Sequence, residues 1–202
     1  MNHKELGQTA VTVPEIGLGT WRYSSGVDPL TQGIELGAFL IDTAEHYDNE
    51  EMVGQAAKAL RDRVFIATKV SPQHFSYSDT IKAADQSLKR LRREHIDLYQ
   101  LHSPNITIPI EETLGALEDL VDAGKVRFIG VSNFCVAELK KAQASMKKYR
   151  IVSNQVRYSL IERSIEVELL QYCQENHVTT IAYSPLGHGI DNIRGQDPKG
   201  VL

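Results

Sequence analysis

Phe39-Leu40-Ile41-Asp42-Thr43-Ala44-Glu45-His46-Tyr47-Asp48-Asn49 holds the pattern around which the rest of the chain is organised. Phe39, Leu40 and Ile41 form a short apolar run, which predicts a buried strand. The run stops at an acid, Asp42. Tyr47 follows five residues later, past a polar turn, and Glu50 and Glu51 then open a helical pattern. An acid at the carboxyl end of a buried strand, with a phenol in the next loop, suits a proton-handling site. The plainer reading is an Asp that caps the turn and a Tyr that packs.

The same strand–loop–helix unit recurs outward from this stretch. A hairpin is expected over residues 4–13, with Gly7-Gln8 as its turn, and a short strand over 16–21. Residues 23–31 read as loop and 32–37 as a short helix closed by Gly37. Met52, Val53, Ala56, Ala57 and Leu60 recur at helical spacing. Strands follow at 64–68, 96–101, 126–131, 151–156 and 178–182. Between them lie helical patterns, one opening at a Ser78 N-cap and another stopping at Gly124. Short apolar strands alternating with amphipathic helices imply a parallel sheet covered by helices. A doubly wound sheet competes with an eight-fold β/α barrel. Gly17-Leu18-Gly19 lacks the third glycine and the helix start of a dinucleotide turn, and the repeat count favours the barrel. The expected organisation is one domain over 1–202, with a hairpin at 1–14 and a polar tail at 188–202.

The totals exclude several classes. The chain has 202 residues, 42% hydrophobic and 24% charged, which is enough for one sizeable core. A net charge of −4 and no basic stripe argue against nucleic acid as a partner. No apolar run approaches a membrane span, and the opening Met1-Asn2-His3-Lys4-Glu5 lacks a signal-peptide core. Cys135 and Cys173 lack metal-ligand spacing and read as reduced packing thiols, so no metal is expected. A cytoplasmic protein is the resulting expectation.

Polar residues stand at the end of strand after strand: Asp42, Lys69, His102, Ser132 with Asn133, Gln155, and Tyr183 with Ser184. A barrel brings strand ends onto one rim. Chargeable groups have no reason to converge in an apolar core. Tyrosine, with a reference pKa of ~10, is a poor acid at neutral pH. A nearby cation lowers that value; Lys69 is placed to be the cation and Asp42 to hold it. His102 is placed to orient a substrate carbonyl. Such a Tyr would be a general acid for carbonyl reduction, and hydride then requires a nicotinamide cofactor. Ser132, Asn133 and Gln155 suit a carboxamide, and Tyr183 offers a flat face to the ring. A phosphate-binding lyase or isomerase fits less well, because it leaves Tyr47, Asn133 and Gln155 without a joint role.

These motifs resemble the aldo-keto reductase family. Ile41-Asp42-Thr43-Ala44 with Tyr47, Ala67-Thr68-Lys69-Val70, and Leu98-Tyr99-Gln100-Leu101-His102 match its catalytic motifs. Gly124-Lys125-Val126-Arg127, Gly130-Val131-Ser132-Asn133-Phe134, Asn154-Gln155-Val156 and Ala182-Tyr183-Ser184-Pro185-Leu186 match its cofactor side. The resemblance runs from about Lys4 to about Gly189. It implies a (β/α)8 barrel that reduces a small aldehyde or ketone with NADPH, or alternatively NADH. It implies Tyr47 as the acid, supported by Asp42, Lys69 and His102. It further implies cofactor contacts from Gly19, Thr20, Asp42, Ser132, Asn133, Gln155, Tyr183, Ser184 and Leu186. Trp21, Tyr47 and His102 would face the substrate.

Compared with the family pattern, the last strand and the loop that grips the cofactor's 2′-phosphate are not found, and the first helix reads a turn short. A barrel of about seven strands is therefore expected, with open parallel edges, a weakened cofactor grip and an early carboxyl end. The rival to a carbonyl reductase is a catalytically impaired relative that binds a partner or self-associates through those edges.

Overall fold

The computed structural model describes residues 1–187 and 189. The tail expected over 188–202 lies, apart from Gly189, outside the described residues. Strands β1 (His3–Glu5) and β2 (Thr12–Pro14) pair as an antiparallel hairpin. Seven strands then run parallel in sequence order: β3 (Leu18–Gly19), β4 (Leu40–Asp42), β5 (Phe65–Val70), β6 (Ile96–Leu101), β7 (Val126–Ser132), β8 (Ile151–Arg157) and β9 (Thr179–Tyr183). The connecting helices are α1 (Val27–Glu35), α2 (Glu50–Ala56), α3 (Tyr77–Leu91), α4 (Ile110–Asp122), α5 (Val136–Ser145) and α6 (Leu169–Glu175). The described residues supply seven parallel strands of a β/α barrel, with β3 and β9 at the edges.

The two-residue period of each strand sorts the side chains. Ile41, Ile66, Val70, Tyr99, Leu101, Ile129, Val131 and Val156 point outward and pack under the helices in one large core. Leu40, Phe65, Ala67 and Leu98 point inward, Val152 joins them where the register of β7 and β8 slips, and Leu6 and Val13 of the hairpin segment pack onto this group. The hairpin thus plugs the amino end of the interior with apolar groups. The inward positions nearer the carboxyl ends are polar instead, and they build the site described below.

The first helix is longer and earlier than its sequence suggests. It covers Val27–Glu35, so residues 27–31 are not loop. Pro29 falls in the first turn, where its missing N–H has no intrahelical acceptor to lose. Leu30 and Ile34, one turn apart, are buried and hold the helix down. The strand expected over 16–21 shrinks to Leu18–Gly19. The cap of α3 is Ser76 rather than Ser78, its hydroxyl accepting from the Asp79 N–H at 3.3 Å. Cys173 is buried as expected, but Cys135 is exposed at the start of α5. Among the described residues no helix is long and apolar enough to cross a membrane, and no group of His, Cys, Asp and Glu could hold a metal ion.

Helix α2 lies against the end of α3 through Gly54. A Cβ at this position would sit 2.4 Å from the Leu91 carbonyl oxygen and 2.7 Å from its carbon. Backbone cannot yield as a side-chain tip does. Gly54→Ala should therefore destabilise the fold by about 1–3 kcal/mol, read from the urea midpoint. An unchanged midpoint would show that the two helices do not pack this closely.

Candidate active site

Strand β4 ends at Asp42, and the chain then makes a single 3-10 turn, Glu45–Tyr47, before α2. Three anchors set this turn. The Tyr47 N–H donates to the Ala44 carbonyl at 3.0 Å, and Asp48 takes a left-handed conformation with φ 55°. The Glu45 carboxylate accepts from the Ser71 N–H at 2.6 Å and contacts His74 Nδ1 at 2.9 Å. The turn is thereby tied to the loop after β5, and Tyr47 is held next to Lys69.

Lys69 is fully buried on the inner face of β5. Its ammonium donates to Asp42 Oδ1 at 2.5 Å and to the Thr43 carbonyl at 3.0 Å. It also lies 5.2 Å from the centre of the Tyr47 ring. The other carboxylate oxygen, Asp42 Oδ2, accepts from Gln155 Nε2 at 2.7 Å and from Gln100 Nε2 at 3.3 Å. The Asp42 carboxylate is thus gripped from β5, β6 and β8 together.

The phenol of Tyr47 is pushed above its ordinary value, first by burial, then by the Asp42 charge, then by Tyr183. This reverses the sequence-based expectation that Lys69 would make it more acidic. The Lys69 charge is matched by Asp42, so burial decides. Tyr47 therefore stays protonated throughout the neutral range.

His102 follows β6 and is half-buried. Its ring centre lies 5.6 Å from that of Tyr47 and 4.4 Å from that of His46. Its pKa is lowered to about 3 by burial, then by the charges of Lys69 and His46. The ring is neutral at physiological pH and keeps one N–H to offer. The sign of the stability effect follows. In the unfolded chain the imidazole binds a proton near its usual value, whereas in the fold it does so only near pH 3. Stability contributed here is therefore present at neutral pH and is lost as pH falls from about 6.5 toward 3. His102→Gln should flatten the pH dependence of the urea midpoint in that window. An unaltered slope would contradict the depressed titration.

The cofactor-side residues form a second group. Ser132 Oγ donates to the Gln155 carbonyl at 2.9 Å. Asn133, left-handed with φ 63°, donates through Nδ2 to the His102 carbonyl at 3.1 Å and to Ser132 Oγ at 3.1 Å. Its Oδ1 accepts from the Tyr183 hydroxyl at 3.0 Å. That bond fixes an aromatic ring that is still 36% exposed. Ser184 is left-handed, and Leu186 is exposed beyond it. Gly19 is exposed, and a Cβ there would meet nothing within 4 Å. Trp21 is half exposed, with the Arg22 guanidinium 4.3 Å over its ring. Thr20 is fully buried, and its hydroxyl donates to the Asp42 carbonyl and to Asn49 Oδ1, each at 3.1 Å, so its side chain braces the loop.

Asp42, Tyr47, Lys69, His102 and Gln155 thus come together, while Ser132, Asn133 and Tyr183 are linked beside them. Sequence reading missed three contributors. Gln100 grips Asp42 together with the expected Gln155. Asn49 accepts from Thr43 Oγ1 at 2.8 Å and donates to the Thr20 carbonyl at 2.7 Å, locking the ends of β3 and β4. His46 packs beside His102. Only for Gln100 was there a signal: it is two residues before His102, hence on the same inward face.

The model of the aldo/keto reductase family matches residues 15–199. The Bacillus subtilis aldo-keto reductase YhdN is 33% identical, over 98% of this chain and 70% of its own length. The Escherichia coli methylglyoxal reductase YeaE is 39% identical, over 87% of this chain and 65% of its own length. Among solved structures, the thermostable aldo-keto reductase Tm1743 with the inhibitor epalrestat superposes with a TM-score of 0.89 at 41% identity, covering 93% of this chain and 74% of that one. A Klebsiella pneumoniae aldo/keto reductase in complex with NADP and acetate gives 0.81 at 39% identity, covering 95% and 70%. The chain thus spans about two thirds to three quarters of the length of these relatives. On this match, which covers most of its length, the chain belongs to the aldo/keto reductase family.

Proposed function

We propose that this protein reduces an aldehyde or ketone to the alcohol, with Tyr47 as proton donor and NADPH, or else NADH, as the source of hydride. The observation that carries the reading is the Asp42–Lys69 pair buried against Tyr47, with a neutral His102 beside it. A bound nicotinamide supplies the hydride, which no side chain can. The exposed Tyr183 ring, with its hydroxyl anchored by Asn133, suits the flat face of such a group. Gly19, Ser132, Asn133, Gln155, Ser184 and Leu186 would hold the rest. The solved K. pneumoniae relative with NADP supports this choice of cofactor.

His102 offers an N–H to the substrate oxygen and sets its direction. As negative charge grows on that oxygen, Tyr47 transfers its phenolic proton to it. An alkoxide is a far stronger base than a phenolate, so a raised phenol pKa still leaves the transfer downhill. Lys69 stabilises the phenolate that remains, and Asp42 keeps Lys69 in place. The phenolate then regains a proton from solvent. Both cysteines are unpaired thiols, which suits the cytoplasm.

The test is consumption of NADPH with an aromatic aldehyde, followed by absorbance, alongside a fluorescence titration of NADPH binding. Bound cofactor without any consumption would refute the reading. A second reading rests on β3 and β9, which stand at the sheet's edges among the described residues. Here the chain is a binding subunit, and light scattering would find a stable complex in a protein that turns nothing over.

A further inference from the structure

We infer that Gln100 is a positioning residue of this site: its buried amide holds the Asp42 carboxylate in the orientation that keeps the Lys69 ammonium beside Tyr47 while Gln155 serves the cofactor. The inference rests on the carbonyl-reduction reading above. Lys69 and Gln100 stand directly opposite each other in the register of β5 and β6. Both are fully buried, and both side chains run to the same carboxylate, Lys69 Nζ to Oδ1 at 2.5 Å and Gln100 Nε2 to Oδ2 at 3.3 Å. Gln155 Nε2 reaches Oδ2 as well, at 2.7 Å. The two amides differ in what else they serve. Gln155 belongs to the group proposed to hold the cofactor, so its hold on Asp42 is shared. Gln100 is sealed inside the barrel, and Asp42 is the one hydrogen-bond partner of its side chain among the described residues.

The other end of the amide shows that Gln100 is aimed and not merely enclosed. Its Oε1 is buried and has no hydrogen-bond partner among the described residues. An orphaned buried oxygen is unfavourable, and an aliphatic side chain would fill the same space without one. The reversed amide would set Oε1 against a carboxylate, so the N–H end must face Asp42. The next two strands make room for this side chain. Gly130 on β7 is the register partner of Gln100, and Ser153 on β8 is that of Gly130. A Cβ on Gly130 would lie 3.0 Å from Gln100 Cγ and 2.5 Å from Ser153 Oγ, so only glycine leaves the Gln100 stem its place. With Oδ1 on Lys69 and Oδ2 on Gln100, the carboxylate is pinned at both oxygens. Lys69 is thereby kept 5.2 Å from the centre of the Tyr47 ring. A misplacement of about 1 Å in such a support is enough to slow the chemistry it serves.

The experiment measures NADPH consumption with an aromatic aldehyde by the full chain, for wild type, for Gln100→Met, for Tyr47→Phe and for the two changes combined. Methionine keeps an unbranched stem of similar volume and removes the N–H. Gln100→Met should lower kcat by about tenfold, the scale of one hydrogen bond, and leave KM for the aldehyde and the fluorescence-titrated Kd for NADPH within about twofold. Added to Tyr47→Phe, the same change should alter the remaining rate by less than about twofold, because its effect passes through the phenol. Gln100→Asn draws the amide back from Asp42 by one methylene; it should lose rate as Gln100→Met does, and it carries the test if the methionine variant does not fold. An equal loss in both Tyr47 backgrounds would overturn the inference and make Gln100 a support of the barrel at large. A weakened Kd for NADPH with kcat unchanged would overturn it too, by placing its action on Gln155 and the cofactor. If wild type consumes NADPH and Gln100→Met consumes it equally fast, the inference alone fails. If wild type consumes none, the carbonyl-reduction reading fails and takes the inference with it.

Discussion

Tyr47→Phe should lower kcat for aldehyde reduction by about 10²–10⁴-fold while leaving NADPH binding within about twofold of wild type. The size is that of a lost general acid. The specificity of the test comes from the surroundings. No described residue is hydrogen-bonded to the Tyr47 hydroxyl; the contacts of Tyr47 are through its ring, to His46, His102 and Lys69. Phenylalanine keeps those ring contacts, so the fold should be untouched and the urea midpoint unchanged. The variant removes a proton and an oxygen and little else. Stopped-flow measurement of NADPH absorbance separates the chemical step from binding. A rate within tenfold of wild type would mean that the proton comes from elsewhere, with the neutral His102 the next group in reach. Because burial holds the phenol in its protonated form, the wild-type rate should not decline from Tyr47 ionisation anywhere in the neutral range.

Arg90→Met should destabilise the fold by about 3–5 kcal/mol, the cost of stranding a buried charge. Glu50 opens α2 and its side chain is fully buried. One carboxylate oxygen accepts from Thr68 Oγ1 at 2.6 Å, and the other takes Arg90 Nε and Nη2, each at 2.7 Å. Arg90 lies on α3 and is partly open to water. Its removal therefore leaves the acid in the interior with only a neutral partner, whereas the reverse change leaves an arginine that solvent can reach. The asymmetry predicts that Arg90→Met is worse than Glu50→Gln. The double variant Glu50→Leu with Arg90→Met should regain much of the lost stability, since no charge is then buried. Equilibrium urea unfolding of the three proteins decides it. Equal midpoints for Arg90→Met and wild type would show that the pair is not holding α2 and α3 onto β5.

Both expectations depend on features that differ in how far they could be read in advance. Strands such as Phe65–Val70 were legible because a buried parallel strand leaves a short, mostly apolar run bounded by polar breaks. The strand-end positions of Asp42, Lys69 and His102 followed from the same runs, since the polar residue that ends one marks the rim. The first helix was misjudged because Pro29 reads as a breaker, while Leu30 and Ile34 need only one buried turn to hold it. The sign of the Tyr47 shift was misjudged for a similar reason. The pairing of Lys69 with Asp42 was legible, but the burial of the phenol, which outweighs the lysine, is set only by the fold.

The amino-acid order by itself determined the alternation of strands and helices, the parallel sheet, and which chargeable residues stand at the strand ends, because these depend on period and spacing along the chain. Tertiary structure alone decided who holds whom: Gln155 on Asp42 from 113 residues away, Gln100 on the same oxygen from 58, Asn49 bridging Thr20 and Thr43, and His46 lying against His102. It also decided the charge states, since burial and opposite charges act through space, and distance in space is what a linear pattern does not record.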